Sequence, residues 1–182
     1  MLFLKIQMGT FSKIGIMVFF IGSMSLFGQE NPLAFKGKLN SANDLLTKKK
    51  NVEALNILSL LLHSKEQMDM SDSLRLYNLL GECNFQMQKY HQAIEYYEMA
   101  LVSAYKNDTI QADIQYQIGM SKYRLSDYSQ AVSSMQKSRN LYKQIFGIND
   151  INYTRTLNTL GFLYKIQARY SEAEKTFQEA RQ

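Results

Sequence analysis

Proline occurs once in the 182 residues, cysteine once and tryptophan not at all. A single cysteine cannot pair within the chain, which excludes a disulfide framework. With one proline and nine glycines, the turn residues that a strand-rich sandwich needs every ~8–12 positions are missing, so the composition points to helices. Charge of one sign is missing from most of the chain as well. The formal charge is +5, but Lys5 and Lys13 lie at the start, and Lys36, Lys38, Lys48, Lys49 and Lys50 share their stretch with a single acid, Asp44. From Asn51 onward fourteen Lys and Arg face fourteen Asp and Glu, interspersed. A nucleic-acid surface would collect its cations on one face, so no nucleic-acid partner is expected. What the chain does have is apolar content: 46% of its residues are hydrophobic and 12% aromatic, enough for one ordinary domain with a core.

The first thirty residues are of another kind. Two lysines and no acid precede fourteen uncharged residues, Ile14 to Phe27, which end among Ser23, Ser25 and Gly28. A basic start, an apolar stretch and a small-residue exit describe a secretory signal peptide. As a helix, fourteen residues reach about 21 Å, short of the ~30 Å hydrocarbon core. Residues 1–28 are therefore read as a signal peptide, cut after Ser25 or after Gly28, that exports the chain to the periplasm. A membrane anchor and a buried helix are the alternatives. Cys83 lies far from this exit, which argues against a lipid-anchored protein.

Beyond the leader the chain is repetitive. Leu80-Gly81, Ile118-Gly119 and Leu160-Gly161 each precede a tyrosine nine positions after the glycine, Tyr90, Tyr128 and Tyr170. Three further on stand Ala93, Ala131 and Ala173, then Tyr97, Met135 and Phe177, then Ala100, Ser138 and Ala180. The steps between copies are 38 and 42 residues. A degenerate copy precedes them, with Ala42 in the glycine position and Ala54, Leu58 and Leu61 at the later offsets. Five glycines lie beyond the leader, and three of them occupy this one position.

Each copy reads as two helices. Ala93, Tyr97 and Ala100 lie at i, i+4 and i+7, one helical stripe, and Tyr77, Leu80, Gly81, Asn84 and Phe85 make another. Small residues let two helix backbones approach, and large ones fill the space between them. Gln88-Lys89, Ser126-Asp127 and Ala168-Arg169 are the breaks between helices. Asp127 with Gln130, and Asp108 with Gln111, have the spacing of a capping box. A single such hairpin cannot bury its apolar face, so the copies must stack.

These residues resemble tetratricopeptide repeats. Leu80-Gly81, Tyr90, Ala93, Tyr97 and Ala100 follow the family pattern best, and Leu157, Leu160-Gly161, Tyr164, Tyr170, Ala173, Phe177 and Ala180 follow it too. Gln115, Lys122, Met135 and Ser138 depart from it in the middle copy, and the family's closing proline is missing throughout. The 42-residue step through Phe146, Gly147, Ile148, Asn149 and Asp150 resembles a kinesin-light-chain repeat, without the His-Pro usual in that loop. The resemblance implies an all-α fold, an α-α superhelix of about 3.5–4 helix-turn-helix repeats behind the signal peptide. The segments are a degenerate first repeat over 35–64 and repeats over 74–106, 112–146 and 154–182.

By resemblance, the first helix of each repeat lines a concave groove for a protein or peptide partner. The outward positions are Arg75, Asn78, Glu82 and Phe85, then Asp113, Tyr116 and Tyr123, then Arg155, Asn158 and Phe162. Arg and Asn can bond backbone or carboxylate groups while rings supply area. The set that clamps chaperone C-terminal tails is not reproduced, so that partner is not expected. Catalysis is not expected either. His63 and His91 are too far apart for a metal pair, and Cys83 reads as a half-buried structural thiol with no histidine at activating spacing. No phosphate loop or nucleophile elbow is present, so no cofactor, metal or small-molecule substrate is expected. The face carrying Phe177 and Ala180 should be covered by a further element. Either the chain is part of a longer protein or this face self-associates. The functional expectation is an exported interaction scaffold; the alternative is the truncated sensory region of a signal-transduction protein whose output domain is missing.

Overall fold

The computed structural model describes residues 32–64, 68–105 and 107–182. The proposed signal peptide, 1–28, lies outside the described residues. The chain divides into two units, Met1–Lys36 and Gly37–Gln182. Of the first, only the opening of one helix is described.

The described residues form eight helices and no strand: α1 Pro32–Thr47, α2 Asn51–His63, α3 Met70–Gln86, α4 Tyr90–Ser103, α5 Asp108–Arg124, α6 Tyr128–Phe146, α7 Ile151–Ile166 and α8 Tyr170–Glu179. From α2 onward each helix packs on the next in the chain. None of the described helices is long and apolar enough to cross a membrane.

The glycine period has a direct cause. A Cβ on Gly81 would lie 2.5 Å from Tyr97 Cδ1, one on Gly161 2.7 Å from Phe177 Cε1, and one on Gly119 2.9 Å from Met135 Cε. Each glycine thus receives the large side chain sixteen positions later in the same hairpin. In the first hairpin the pair is Ala42 and Leu58, both fully buried. A methyl in place of hydrogen goes with a branched aliphatic in place of a ring.

The turns repeat at the level of backbone. Lys49, Gln88, Ser126 and Ala168 have φ of 60°, 61°, 62° and 59°. Around Gln88, the Lys89 N–H donates to the Asn84 carbonyl at 2.9 Å and the Gln88 N–H to Phe85 at 3.0 Å. The same two bonds recur at the other three turns; they are the paired bonds of a Schellman motif. The residue after each αL position is also the N-cap of the next helix, and its carbonyl accepts from Ala54, Ala93, Ala131 or Ala173 at 2.9–3.0 Å. A three-residue turn therefore closes one helix and opens the next.

Two sequence expectations need correction. Asp127 caps α6, accepting from the Gln130 N–H at 3.1 Å. Asp108 does not cap α5: Asn107, one residue earlier, accepts from Ile110 N–H at 3.2 Å, and Asp108 sits in the first turn, where its charge suits the helix N-terminus. Cys83 is fully buried rather than half-buried. Its thiol donates to the Asn51 carbonyl of α2 at 3.3 Å, because α3 is covered on two sides, by α4 and by the preceding hairpin. Burial pushes the thiol above its usual range, with Lys89 opposing and Glu82 assisting.

The longest step has its own construction. Helix α6 runs for 19 residues against 14 in α4, and its stripe Ala131, Met135, Ser138 continues to Tyr142. Gly147 then takes φ 82° and ψ −172°, a conformation essentially reserved for glycine. Asp150 opens α7 by accepting from the N–H groups of Asn152 and Tyr153, both at 2.9 Å.

Candidate functional site

The first helices of successive hairpins, α1, α3, α5 and α7, are linked through side chains, directly or through a shared cluster. Arg75 of α3 donates to Asn40 Oδ1 of α1. Tyr77 and Phe85 of α3 pack on the cluster that joins Ala93, Tyr97 and Ala100 of α4 to Ile114 and Ile118 of α5. Between α5 and α7 the contacts are aromatic and polar, and they bound a hollow of about 320 Å³.

Tyr116, Met120 and Tyr123 supply the α5 wall; Asn158, Thr159 and Phe162 supply the α7 wall, with buried Leu163 behind them. These residues meet because each helix presents positions one turn and two turns apart toward the other. The Tyr123 and Phe162 rings stand edge to face, centroids 6.1 Å apart. Phe162 remains 47% exposed, leaving ring surface for contact. The Thr159 hydroxyl donates to the Arg155 carbonyl at 3.1 Å, so it accepts from the Tyr116 hydroxyl at 3.4 Å.

Of the ten residues expected to face a partner, four therefore share one hollow: Tyr116, Tyr123, Asn158 and Phe162. Arg155 adjoins it, its guanidinium carbon 4.4 Å from the Tyr116 ring centroid. Asp113 turns to Tyr142, whose hydroxyl donates to Asp113 Oδ1. Burial raises the Tyr142 phenol, Asp113 raises it further and Arg155 opposes both. The three remaining polar positions lie on α3, away from the hollow. Arg75 is bonded to Asn40, Glu82 accepts from Gln86 at 3.0 Å, and Asn78 makes no hydrogen bond with another described residue. Phe85 stands edge to face with Tyr90 at 5.5 Å and packs into its own hairpin.

The outward stripe read from the sequence omits Met120, Thr159 and Tyr142. Met120 and Thr159 each adjoin a repeat glycine or leucine and carry no chemistry of their own. Tyr142 carries a signal, since it lies at i+11 on the Ala131 stripe, one step beyond Ser138.

A tetratricopeptide repeat model matches residues 110–182, and a second matches 74–101. The chain belongs to the tetratricopeptide repeat family. Among solved structures it is similar to MamA, with TM-score 0.67 and 19% identity, covering 82% of this chain and 78% of that one. It is also similar to a kinesin light chain of nearly identical TPR-like repeats from Podosopora anserina, with TM-score 0.71, 12% identity and coverage of 84% and 75%. The apo form of RapI gives TM-score 0.71 at 16% identity over 81% of this chain, which spans 41% of RapI. At these identities the likeness is one of fold. No curated protein matches the chain. Tetratricopeptide repeats are typical of interaction scaffolds, a generally non-enzymatic class that commonly binds protein or peptide partners.

Proposed function

We propose that this chain is an exported scaffold that holds a peptide or protein segment along its first-helix face. The observation that carries the reading is the hollow between α5 and α7, where aromatic side chains from two repeats converge on one open space. Aromatic anchors in partly enclosed pockets dominate the energetics of protein recognition. Export rests on the pattern of residues 1–28 and leads to the periplasm.

The binding reading is tested with a photo-crosslinking residue placed at Met120, in the hollow, or at Lys137, exposed on α6. In the native cell envelope the Met120 position should yield a discrete protein adduct and Lys137 should not. No adduct, or equal adducts from both, overturns the reading. Export is tested by the mass of the mature N-terminus: an intact Met1 on protein from a cytoplasmic fraction removes it. The alternative, a sensory repeat region that works joined to an output module, is decided by reading the genomic frame onward from Gln182.

A further inference from the structure

The hollow between α5 and α7 is built for one kind of contact, and this inference rests on the binding face proposed above. Among the described residues, no Asp, Glu, Lys, Arg or His lines it. Two arginines stand beside it, each over a lining ring: Arg155 over Tyr116 at 4.4 Å and Arg124 over Tyr123 at 6.0 Å from the ring centroid; Asp113 accepts from Tyr142, which Arg155 also approaches. The other arginine of the face, Arg75, is bonded to Asn40 on α1. An incoming carboxylate would have to take Arg155 or Arg124 from an aromatic face, and taking Arg155 would leave the buried Tyr142 hydroxyl without its cationic neighbour. Two polar groups of the rim make no hydrogen bond with another described residue: the Tyr123 hydroxyl and the Asn158 amide, of which the amide can both donate to and accept from a peptide backbone. At about 320 Å³ the space is near the lower end of the ~300–1,000 Å³ range of ligand pockets. It suits one large side chain with its flanking peptide groups.

We infer that the hollow takes an uncharged aromatic or large aliphatic side chain from a partner peptide, with Asn158 bonding the adjacent peptide group. The partner segment is thus neutral at its anchor, and an acidic side chain is a poorer anchor there than a ring.

The test uses two small probes, N-acetyl-phenylalaninamide and N-acetyl-aspartic acid amide, titrated separately into isotope-labelled mature protein and followed by NMR. The phenylalanine probe should shift the signals of Tyr116, Met120, Tyr123 and Phe162 and bind about tenfold or more tightly than the aspartate probe, the discrimination expected from burying one ring. Phe162→Ala, at a half-exposed position where folding should survive, should weaken the phenylalanine probe by a similar factor, with helicity checked by circular dichroism. Asn158→Ala should weaken it by a smaller factor. Preference for the aspartate probe, saturable shifts elsewhere only, or no shifts from either probe overturns the inference. A Met120 adduct formed in the envelope together with aspartate preference would overturn the anchor chemistry while leaving the scaffold reading standing; absence of any adduct would remove the scaffold reading itself.

Discussion

The hairpins α3/α4 and α5/α6 carry the same plan in different materials. In the first, Gly81 meets the ring of Tyr97, which is 1% exposed, and Ala100 completes the stripe. In the second, Gly119 meets a flexible methionine, at Cε 2.9 Å and at Cγ 3.2 Å from the added Cβ, and Ser138 takes the alanine position. That serine is fully buried and donates to the Ala112 carbonyl at 2.9 Å. A rigid ring against a bare backbone leaves no room for adjustment, whereas a thioether chain against the same backbone can move. The family pattern thus describes volumes and not residue types, and a departure from it in α6 is offset by a hydrogen bond between helices.

The comparison can be broken most sharply at the glycines. Gly81→Ala should cost about 2 kcal/mol in chemical denaturation, because overpacking against a buried ring outweighs the roughly 1 kcal/mol gained in helix propensity. Gly119→Ala should leave stability within about 1 kcal/mol of the parent, since the unbranched Met135 chain can swing its methyl aside and shift its Cγ by a few tenths of an ångström. Equal losses at both sites would mean that ring rigidity is not what separates the hairpins. Ser138→Ala should cost about 1 kcal/mol, the net worth of a buried hydrogen bond. A neutral result would show that the serine only fills volume.

The turns should behave alike in both hairpins. Gln88→Gly and Ser126→Gly should each raise stability by about 0.5–1 kcal/mol by removing the cost of a side chain at positive φ. Opposite signs at the two turns would refute a shared backbone device. A smaller effect separates the last hairpin from the others by pH. Burial alone would raise the Glu179 carboxyl, but the Tyr153 hydroxyl, Arg139 and Lys143 outweigh it and hold the carboxyl below its usual range. The Tyr153 phenol is pushed up to about 12, by burial first and by Glu179 second. A carboxyl lowered on folding stabilises above its unfolded value and loses that contribution as pH falls through its folded value. Glu179→Gln should therefore flatten the acid limb of the stability profile, with no change at neutral pH in the pH slope. An unchanged acid limb would show that the contacts of Glu179 with Tyr153, Arg139 and Lys143 do not contribute.

The repeat register was readable because it is local. Each glycine and its large partner stand sixteen residues apart in one hairpin, so spacing alone revealed Gly81 with Tyr97 and Gly161 with Phe177. The cap of α5 was misplaced by one residue for the opposite reason. Asn107 and Asp108 are both good caps by type, and the path of the backbone between α4 and α5 decides which side chain faces the free N–H groups. The four residues that share the hollow were also on the sequence's outward stripe. Nothing in that stripe separates them from Arg75 or Glu82, which satisfy themselves on α1 and α3.

The sequence by itself determined the helices, the hairpins and their period, because intrahelical bonds, small residues and turn positions act within a few dozen residues. Only the tertiary structure decided which outward side chains stay free. Arg155 and Tyr142 lie 42 and 29 positions after Asp113 in sequence, the three on three helices, and they come together only when one repeat stacks on the next. That stacking draws Arg155 over Tyr116 and leaves aromatic surface beside the Asn158 amide, which turns a stripe of mixed residues into a hollow with an uncharged lining.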